Sequence, residues 1–184
     1  MAVAPAGLAL VQDFLNTAGG PAGDRLADGA GARDWWREAS AEWGPEAEGD
    51  RQDLDDHDAA QLRRLREEIK EALYARAAGE APGREKPLGR ATVQLEIGPD
   101  GLVQAASRGS GVAVVRSAIA LEMLRAQLVD DWRRLKVCQD QACRVAFYDR
   151  SRNHSGVWHD TLICGNAANL RASRARRRVS PVKS

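Results

Sequence analysis

Four residues near the C-terminus have the types and the spacing of a metal site. Cys138 and Cys143 are separated by four residues, and after a loop of fifteen residues His159 and Cys164 are separated by four more. Two ligand pairs joined by a short loop favour zinc, which takes four thiolate or imidazole ligands in a tetrahedron. His154 is the alternative to His159, and the repeated spacing favours His159. Four protein ligands leave no position for water, so the sequence predicts one structural Zn²⁺.

The number and position of the cysteines favour a metal over disulfides. All three lie in the last third of the chain, whereas a secreted, disulfide-rich domain usually has an even number spread along its length. The alternative of three buried cysteines acting as small apolar residues fits poorly with the polar neighbours Gln139, Asp140 and Gln141. A secretory signal would carry Lys or Arg at its start, and the first ten residues contain neither. No apolar run is long enough to span a membrane. We therefore expect a cytoplasmic protein.

The net charge of +1 hides an asymmetry between the two parts of the chain. Residues 133–184 contain twelve Lys and Arg against three acidic residues, a net charge of +9, and the remainder has a net charge of −8. A basic segment of this kind favours a polyanionic partner such as nucleic acid. The acidic part is a poor nucleic-acid binder, which leaves sensing or docking as its task.

Apolar periodicity predicts the elements that position these residues. Spacing of three and four residues predicts helices at 8–18, 31–43 and 58–78, and a longer helix from about 110 to 135. Alternation predicts a hairpin with strands 93–97 and 102–106 around Gly98-Pro99-Asp100-Gly101. The segments 44–58 and 79–89 are predicted loops. The predicted fold class is α+β: a mainly helical domain with a small hairpin at 1–135, then a treble-clef-like zinc module ending in a helix at 136–184.

A series of short motifs in the basic segment resembles the CGNR-type zinc finger. The series runs Cys138-x4-Cys143, Phe147-Tyr148-Asp149, Ser151-Arg152-Asn153, Trp158 and Cys164-Gly165-Asn166, followed by an Arg-rich helix. That family is a set of bacterial transcription regulators whose N-terminal part is the ABATE domain. Asp13-Phe14-Leu15-Asn16-Thr17 resembles the opening motif of that domain, and Asp24-Arg25-Leu26 followed by Trp35 or Trp36 fits its next part.

The resemblance implies a DNA-binding finger and a regulatory or ligand-binding N-terminal domain. The chain departs from the family at three points. His159 stands where the third ligand is usually cysteine, Ala167 replaces the arginine of the family's name, and Ser155-Gly156-Val157 replaces arginines before the Trp. Zinc accepts histidine, so the site should persist. With fewer arginines we expect modest DNA affinity, which a homodimer would raise.

Arginine presents a planar fork that binds phosphate, so the arginines of the basic segment are the predicted DNA contacts. Residues 171, 174 and 178 would share one helix face, and no acidic residue between 161 and 184 would neutralise them. The predicted nucleic-acid-binding residues are Arg150, Arg152, Asn153, Arg171, Arg174, Arg177 and Arg178. For the stretch after Arg174, a tail that only solubilises the chain is the alternative.

The predicted site for a small-molecule ligand or protein partner consists of polar residues in the N-terminal motifs: Asp13, Asn16, Thr17 and Asp24. The alternative is that Asp13 and Asn16 only cap or close local structure. For the whole chain, the alternatives to a regulator are a zinc-scaffolded protein-interaction module and a histidine-metal nuclease. A nuclease needs an oxygen-rich metal site and a histidine base, and only His154 is spare, without a carboxylate cluster. We therefore predict that the protein is not an enzyme.

Overall fold

The computed structural model describes residues 2–19, 23–43, 54–79 and 87–179. Within them the elements are α1 Leu8–Leu15, α2 Gly29–Trp43, α3 Asp56–Ala78, β1 Thr92–Ile97, β2 Val103–Arg108, α4 Val112–Leu128, β3 Leu135–Val137, β4 Ala146–Tyr148 and α5 Asn166–Val179. The predicted α+β class is confirmed: helices and a small hairpin come first, and a cysteine-histidine cluster with a terminal helix follows. The predicted loops at 44–58 and 79–89 lie largely outside the described residues. None of the described helices is long and apolar enough to cross a membrane.

The first helix lies at the centre of the hydrophobic core. Seven of the eight residues of α1 are buried, and Phe14 is fully covered. The Phe14 and Trp35 ring centroids are 5.4 Å apart, and Trp35 and Trp36 are 5.9 Å apart. Side chains of this size each contribute roughly 1.5–3 kcal/mol when buried, so this aromatic group anchors α2 to α1.

Local signals at both ends explain the bounds of α3. The Asp55 side chain accepts a hydrogen bond from the backbone N–H of Asp58 at 2.8 Å, which satisfies one unpaired donor of the first turn. Gly79 ends the helix in the left-handed conformation, with φ of 70°. The predicted apolar stripe of α3 is buried, and it comprises Leu62, Leu65, Ile69 and Leu73.

The fourth helix ends earlier than the sequence predicts. The periodicity extends to Leu135, but α4 stops at Leu128. Asp130 has a φ of 64°, and the N–H groups of Asp130 and Asp131 donate to the carbonyls of Gln127 and Ala126. This pair of bonds is a Schellman ending, which a non-glycine residue can also form. It turns the chain so that Leu135 begins β3.

Two antiparallel hairpins complete the described fold. In the first, β1 pairs with β2 and Leu95 lies opposite Ala105. In the second, β3 pairs with β4. Leu135, Val137 and Ala146 of the second hairpin belong to the same hydrophobic core as the N-terminal helices. The core is therefore continuous across position 135, and the division into 1–135 and 136–184 stays a proposal.

Candidate metal centre

The four predicted ligands converge at one point. One donor atom from each of Cys138, Cys143, His159 and Cys164 lies within 4.8 Å of every other. His159 Nδ1 is 3.3 Å from the Cys143 sulfur and 3.4 Å from the Cys164 sulfur. Metal–ligand bonds of about 2.1–2.3 Å in a tetrahedron place neighbouring donors roughly 3.5–3.8 Å apart. The spacing and the chemistry of this donor set fit one zinc ion with four protein ligands, which is a structural site.

The loop between β3 and β4 positions the first two cysteines. Asp140 accepts a hydrogen bond from Ala142 N–H at its side chain and from Cys143 N–H at its carbonyl, at 3.0 and 2.9 Å. Cys138 N–H donates to the Val145 carbonyl at 2.9 Å. These bonds fold the six residues from Cys138 to Cys143 into a tight turn in which both sulfurs face the same side.

The start of the last helix positions the other two ligands. Cys164 lies in a π-helical turn, Thr161–Gly165, that leads directly into α5. Asp160 caps this turn by accepting from Ile163 N–H at 2.9 Å. Phe147 and Trp158 pack around Cys138 and Cys164 and form a small second core. Because this core is so small, the metal must supply much of the stability of the module.

Burial raises the pKa values of two of the cysteine thiols, Cys143 and Cys164. Burial, together with hydrogen bonds and charge from the neighbouring cysteines, raises the pKa of Cys164 to about 12. Burial also raises the pKa of Cys143, although the backbone N–H of Val145 opposes the change. Three thiolates this close repel one another, so a divalent cation is needed to stabilise them together at neutral pH.

The alternative histidine lies outside the metal cluster. His154 belongs to the loop 149–156, where it is half-buried and adopts a φ of 49°. A buried ion pair that the sequence did not reveal fixes this loop. Lys136 Nζ donates to Asp149 Oδ2 at 2.7 Å and to the carbonyls of His154 and Gly156.

Asp149 is the organising residue of the loop 149–156. Its carboxylate accepts from Ser151 N–H at 2.9 Å and from Gly156 N–H at 2.8 Å. Burial opposes ionisation, but the hydrogen bonds from Lys136, Ser151 and Gly156 outweigh it and hold the pKa of Asp149 well below its usual range. A Cβ at Gly156 would lie 2.8 Å from the Asp149 carboxylate, so only glycine fits there. The Asp-x-Ser sequence at 149–151 is the local turn signal that could have indicated this arrangement.

The predicted nucleic-acid contacts differ in their exposure and in the bonds that they make within the chain. Arg150, Arg152 and Asn153 are exposed on the loop 149–156. Arg174 is exposed on α5. For Arg177 and Arg178 the helix backbone is described and the side chains lie outside the described part of the structure.

Arg150 Nη2 donates to the Val3 carbonyl at 3.3 Å, whereas the internal partner of Arg171 is a carboxylate. Arg171 Nη2 donates to Asp140 Oδ1 at 2.6 Å. The expectation that no acidic residue would neutralise the α5 stripe was wrong here, because the partner comes from the cysteine loop more than thirty residues earlier. This ion pair joins α5 to the turn that supplies two zinc ligands. With the Arg171 hydrogen bond as the leading cause, the pKa of Asp140 lies below its usual value.

The four predicted ligand-binding residues of the N-terminal domain all make internal hydrogen bonds. Trp35 Nε1 donates to Asp13 Oδ2 at 2.7 Å. Arg66 donates to Thr17 Oγ1 and to both carboxylate oxygens of Asp24, at 2.7–2.9 Å. The Asn16 side chain bonds the backbone of Ala146. These bonds join distant segments and give all four residues a structural role, and a ligand site at these residues stays a prediction.

Two family models match the chain, and the metal cluster lies within the residues that the first of them matches. The CGNR zinc finger matches residues 134–177. The ABATE model, described as a putative stress-induced transcription regulator, matches residues 8–147. No curated protein matches the chain. Both descriptions name a regulatory or zinc-finger protein and neither names a reaction. Because the second model covers more than half of the sequence, the chain belongs to the ABATE family of putative stress-induced transcription regulators, with a C-terminal CGNR zinc finger.

Proposed function

We propose that this protein regulates transcription by binding DNA through its zinc module, while its N-terminal domain senses a small molecule or a protein partner. The loop 149–156 is the observation that supports DNA binding. Its inner side is fixed by the buried Lys136–Asp149 pair, and its outer side exposes Arg150 and Arg152. Arginines on a fixed loop lose less conformational freedom when they meet phosphates than arginines on a free tail.

Charge distribution supports the same assignment. The segment 133–184 has a net charge of +9, and Arg174 extends the exposed basic residues along α5. The ion pair between Arg171 and Asp140 holds α5 against the cysteine loop. Phosphate contacts of this kind provide affinity and little sequence information, so base readout is left to residues such as Asn153.

The sensing role depends on a physical connection between the N-terminal domain and the zinc module. Asn16 follows α1 directly, and its side chain bonds the backbone of β4 at Ala146. A ligand that bound near Asp13, Asn16, Thr17 and Asp24 would displace some of their internal hydrogen bonds. The displacement would reach the cysteine hairpin through Asn16. A reducing cytoplasm suits this function, because the three cysteines must stay free thiols to bind zinc.

The experiment that tests DNA binding is fluorescence anisotropy with the zinc-loaded full chain and labelled duplexes at several salt concentrations. With about four phosphate contacts, log K should fall with log salt at a slope near −3.6. A double Arg150→Ala, Arg152→Ala variant should reduce the slope by about two contacts. Arg37→Ala is the matched control, because Arg37 is an exposed arginine of α2 and should leave the slope unchanged. Undetectable or salt-independent binding would favour the protein-interaction module instead.

A further inference from the structure

The β1–β2 hairpin has one apolar and one polar face. The odd-numbered residues of both strands share the apolar face, where Leu95 lies opposite Ala105. The opposite face is polar, with Arg108 donating to Gln94 and Gln94 donating to Glu96. Residues of both faces line a cleft of about 740 Å³ between the hairpin and α4. This alternation of apolar and polar residues is typical of a sheet that packs its apolar face against other apolar groups.

The part of the chain that the structure describes covers that apolar face poorly. Eight large aliphatic side chains on the hairpin and at the end of α4 are 37–78 % exposed: Val93, Leu95, Ile97, Leu102, Val103, Leu124, Leu128 and Val129. Soluble monomers rarely expose contiguous apolar patches of more than a few hundred Å², and larger patches mark interaction surfaces. A standard stable interface buries about 800 Å² per partner, and eight such side chains offer an area of that order.

The first strand also has an open backbone edge. Among the described strands, β1 pairs with β2 alone, and all six residues of β1 are exposed. A two-stranded sheet is marginally stable without further cover, and an exposed edge is a template for another strand. The surface therefore offers both an edge for hydrogen bonds and an apolar face for burial.

We propose that a second copy of this chain covers this surface, with β1 of each copy pairing antiparallel to form a four-stranded sheet. The sequence of β1 is self-complementary in this arrangement. With Leu95 opposite the partner's Leu95, Val93 lies opposite the partner's Ile97, and Gln94 lies opposite the partner's Glu96. Apolar residues then face apolar residues, and an amide faces a carboxylate that it can bond. A two-fold interface requires this matching of a surface with itself. The proposal is independent of DNA binding.

The mass of the zinc-loaded full chain in solution tests the proposal. Light scattering over a concentration series should give twice the chain mass of 20.0 kDa. Leu95→Glu brings two carboxylates together at the centre of the interface and should raise the dimer dissociation constant by roughly 100-fold or more. The matched control is Leu162→Glu, because Leu162 is 80 % exposed but lies in the turn before α5. Zinc content and circular dichroism verify that both variants fold.

Disulfide trapping tests the strand register. Opposed residues of antiparallel strands have Cβ atoms about 4.5–5.5 Å apart, so mild oxidation of Leu95→Cys should give a covalent dimer on a non-reducing gel. Gln104→Cys, on β2 and on the polar face, should give no covalent dimer on the gel under the same oxidation. The proposal is overturned if the wild type is a monomer at every concentration. It is equally overturned if a dimer survives Leu95→Glu, or if only Leu162→Glu dissociates it.

Discussion

Asn16 bonds the backbone of Ala146 as a neighbouring strand would. Its Nδ2 donates to the Ala146 carbonyl and its Oδ1 accepts from the Ala146 N–H, both at 2.8 Å. The two residues are 130 positions apart, so this one amide ties the end of α1 to the hairpin that carries two zinc ligands. A side chain with one donor and one acceptor in this geometry is needed, which only Asn or Gln supplies.

Replacing Asn16 by Ala should destabilise the protein by about 2–4 kcal/mol. The variant loses two hydrogen bonds and leaves the partly buried N–H and carbonyl of Ala146 without their partner. Urea denaturation at constant zinc concentration measures the change in unfolding free energy. The control is Asn153→Ala, an exposed loop substitution that should stay within about 0.5 kcal/mol. Equal stability of the two variants would show that the connection has no energetic role.

Replacing Asp24 by Asn should destabilise the fold by about 2–4 kcal/mol at neutral pH, because the buried guanidinium of Arg66 loses its bidentate carboxylate and keeps only the exposed Glu67. Arg66 is 4 % exposed in its side chain and Asp24 is 28 % exposed. Burial alone would raise the pKa of Asp24, but the hydrogen bonds and charge of Arg66 lower it overall.

The pH dependence of this effect follows from the direction of that pKa shift. A pKa lowered by folding means that the ionised carboxylate favours the folded state. Its contribution is complete above the unfolded value of 3.8 and is lost as the pH falls through the lower folded value. The stability difference between wild type and Asp24→Asn should therefore shrink in acid. A difference that stays constant between pH 7 and about pH 3 would contradict the assignment.

Periodicity and ligand spacing predicted much of this molecule, because both depend on residues that are close in the sequence. The bounds of α2 and α3 and the four zinc ligands are of this kind. The end of α4 was missed because Asp130, a non-glycine residue, takes the left-handed conformation there. The residue type at a single position does not predict a left-handed backbone conformation.

The connections between distant segments could not be predicted in the same way. Asn16 belongs to a motif that the sequence singled out, yet its partner is a backbone group of β4, which has no side-chain signature. The pairs Arg171–Asp140 and Lys136–Asp149 depend on how the zinc loop folds back. The four ligands were recognisable without knowledge of the fold, whereas the groups that hold them in place were visible only once the chain was folded.

His159 and His154 should differ in their effect on zinc. His159→Ala removes a donor that lies 3.3 Å from the Cys143 sulfur, so zinc affinity should fall by at least about 100-fold and the module should lose structure. His154→Asn is the matched control, because asparagine tolerates the positive φ at this position. Competition with a chromophoric chelator measures both affinities. If His154→Asn released zinc and His159→Ala retained it, the assignment of the fourth ligand would be reversed.

Arg152 and Arg171 should respond differently in a DNA-binding assay, although both are arginines of the basic segment. Arg152 is exposed on the loop 149–156, so Arg152→Ala should lower the salt slope of binding by about one contact and leave stability within about 0.5 kcal/mol. Arg171 is bonded to the buried carboxylate of Asp140, so Arg171→Ala should cost about 1–2 kcal/mol of stability and change the slope by less than one contact. Anisotropy titrations at several salt concentrations, paired with urea denaturation, separate the two effects. If Arg171→Ala reduced the slope by a full contact at unchanged stability, the ion pair with Asp140 would not form in solution and Arg171 would be a phosphate ligand.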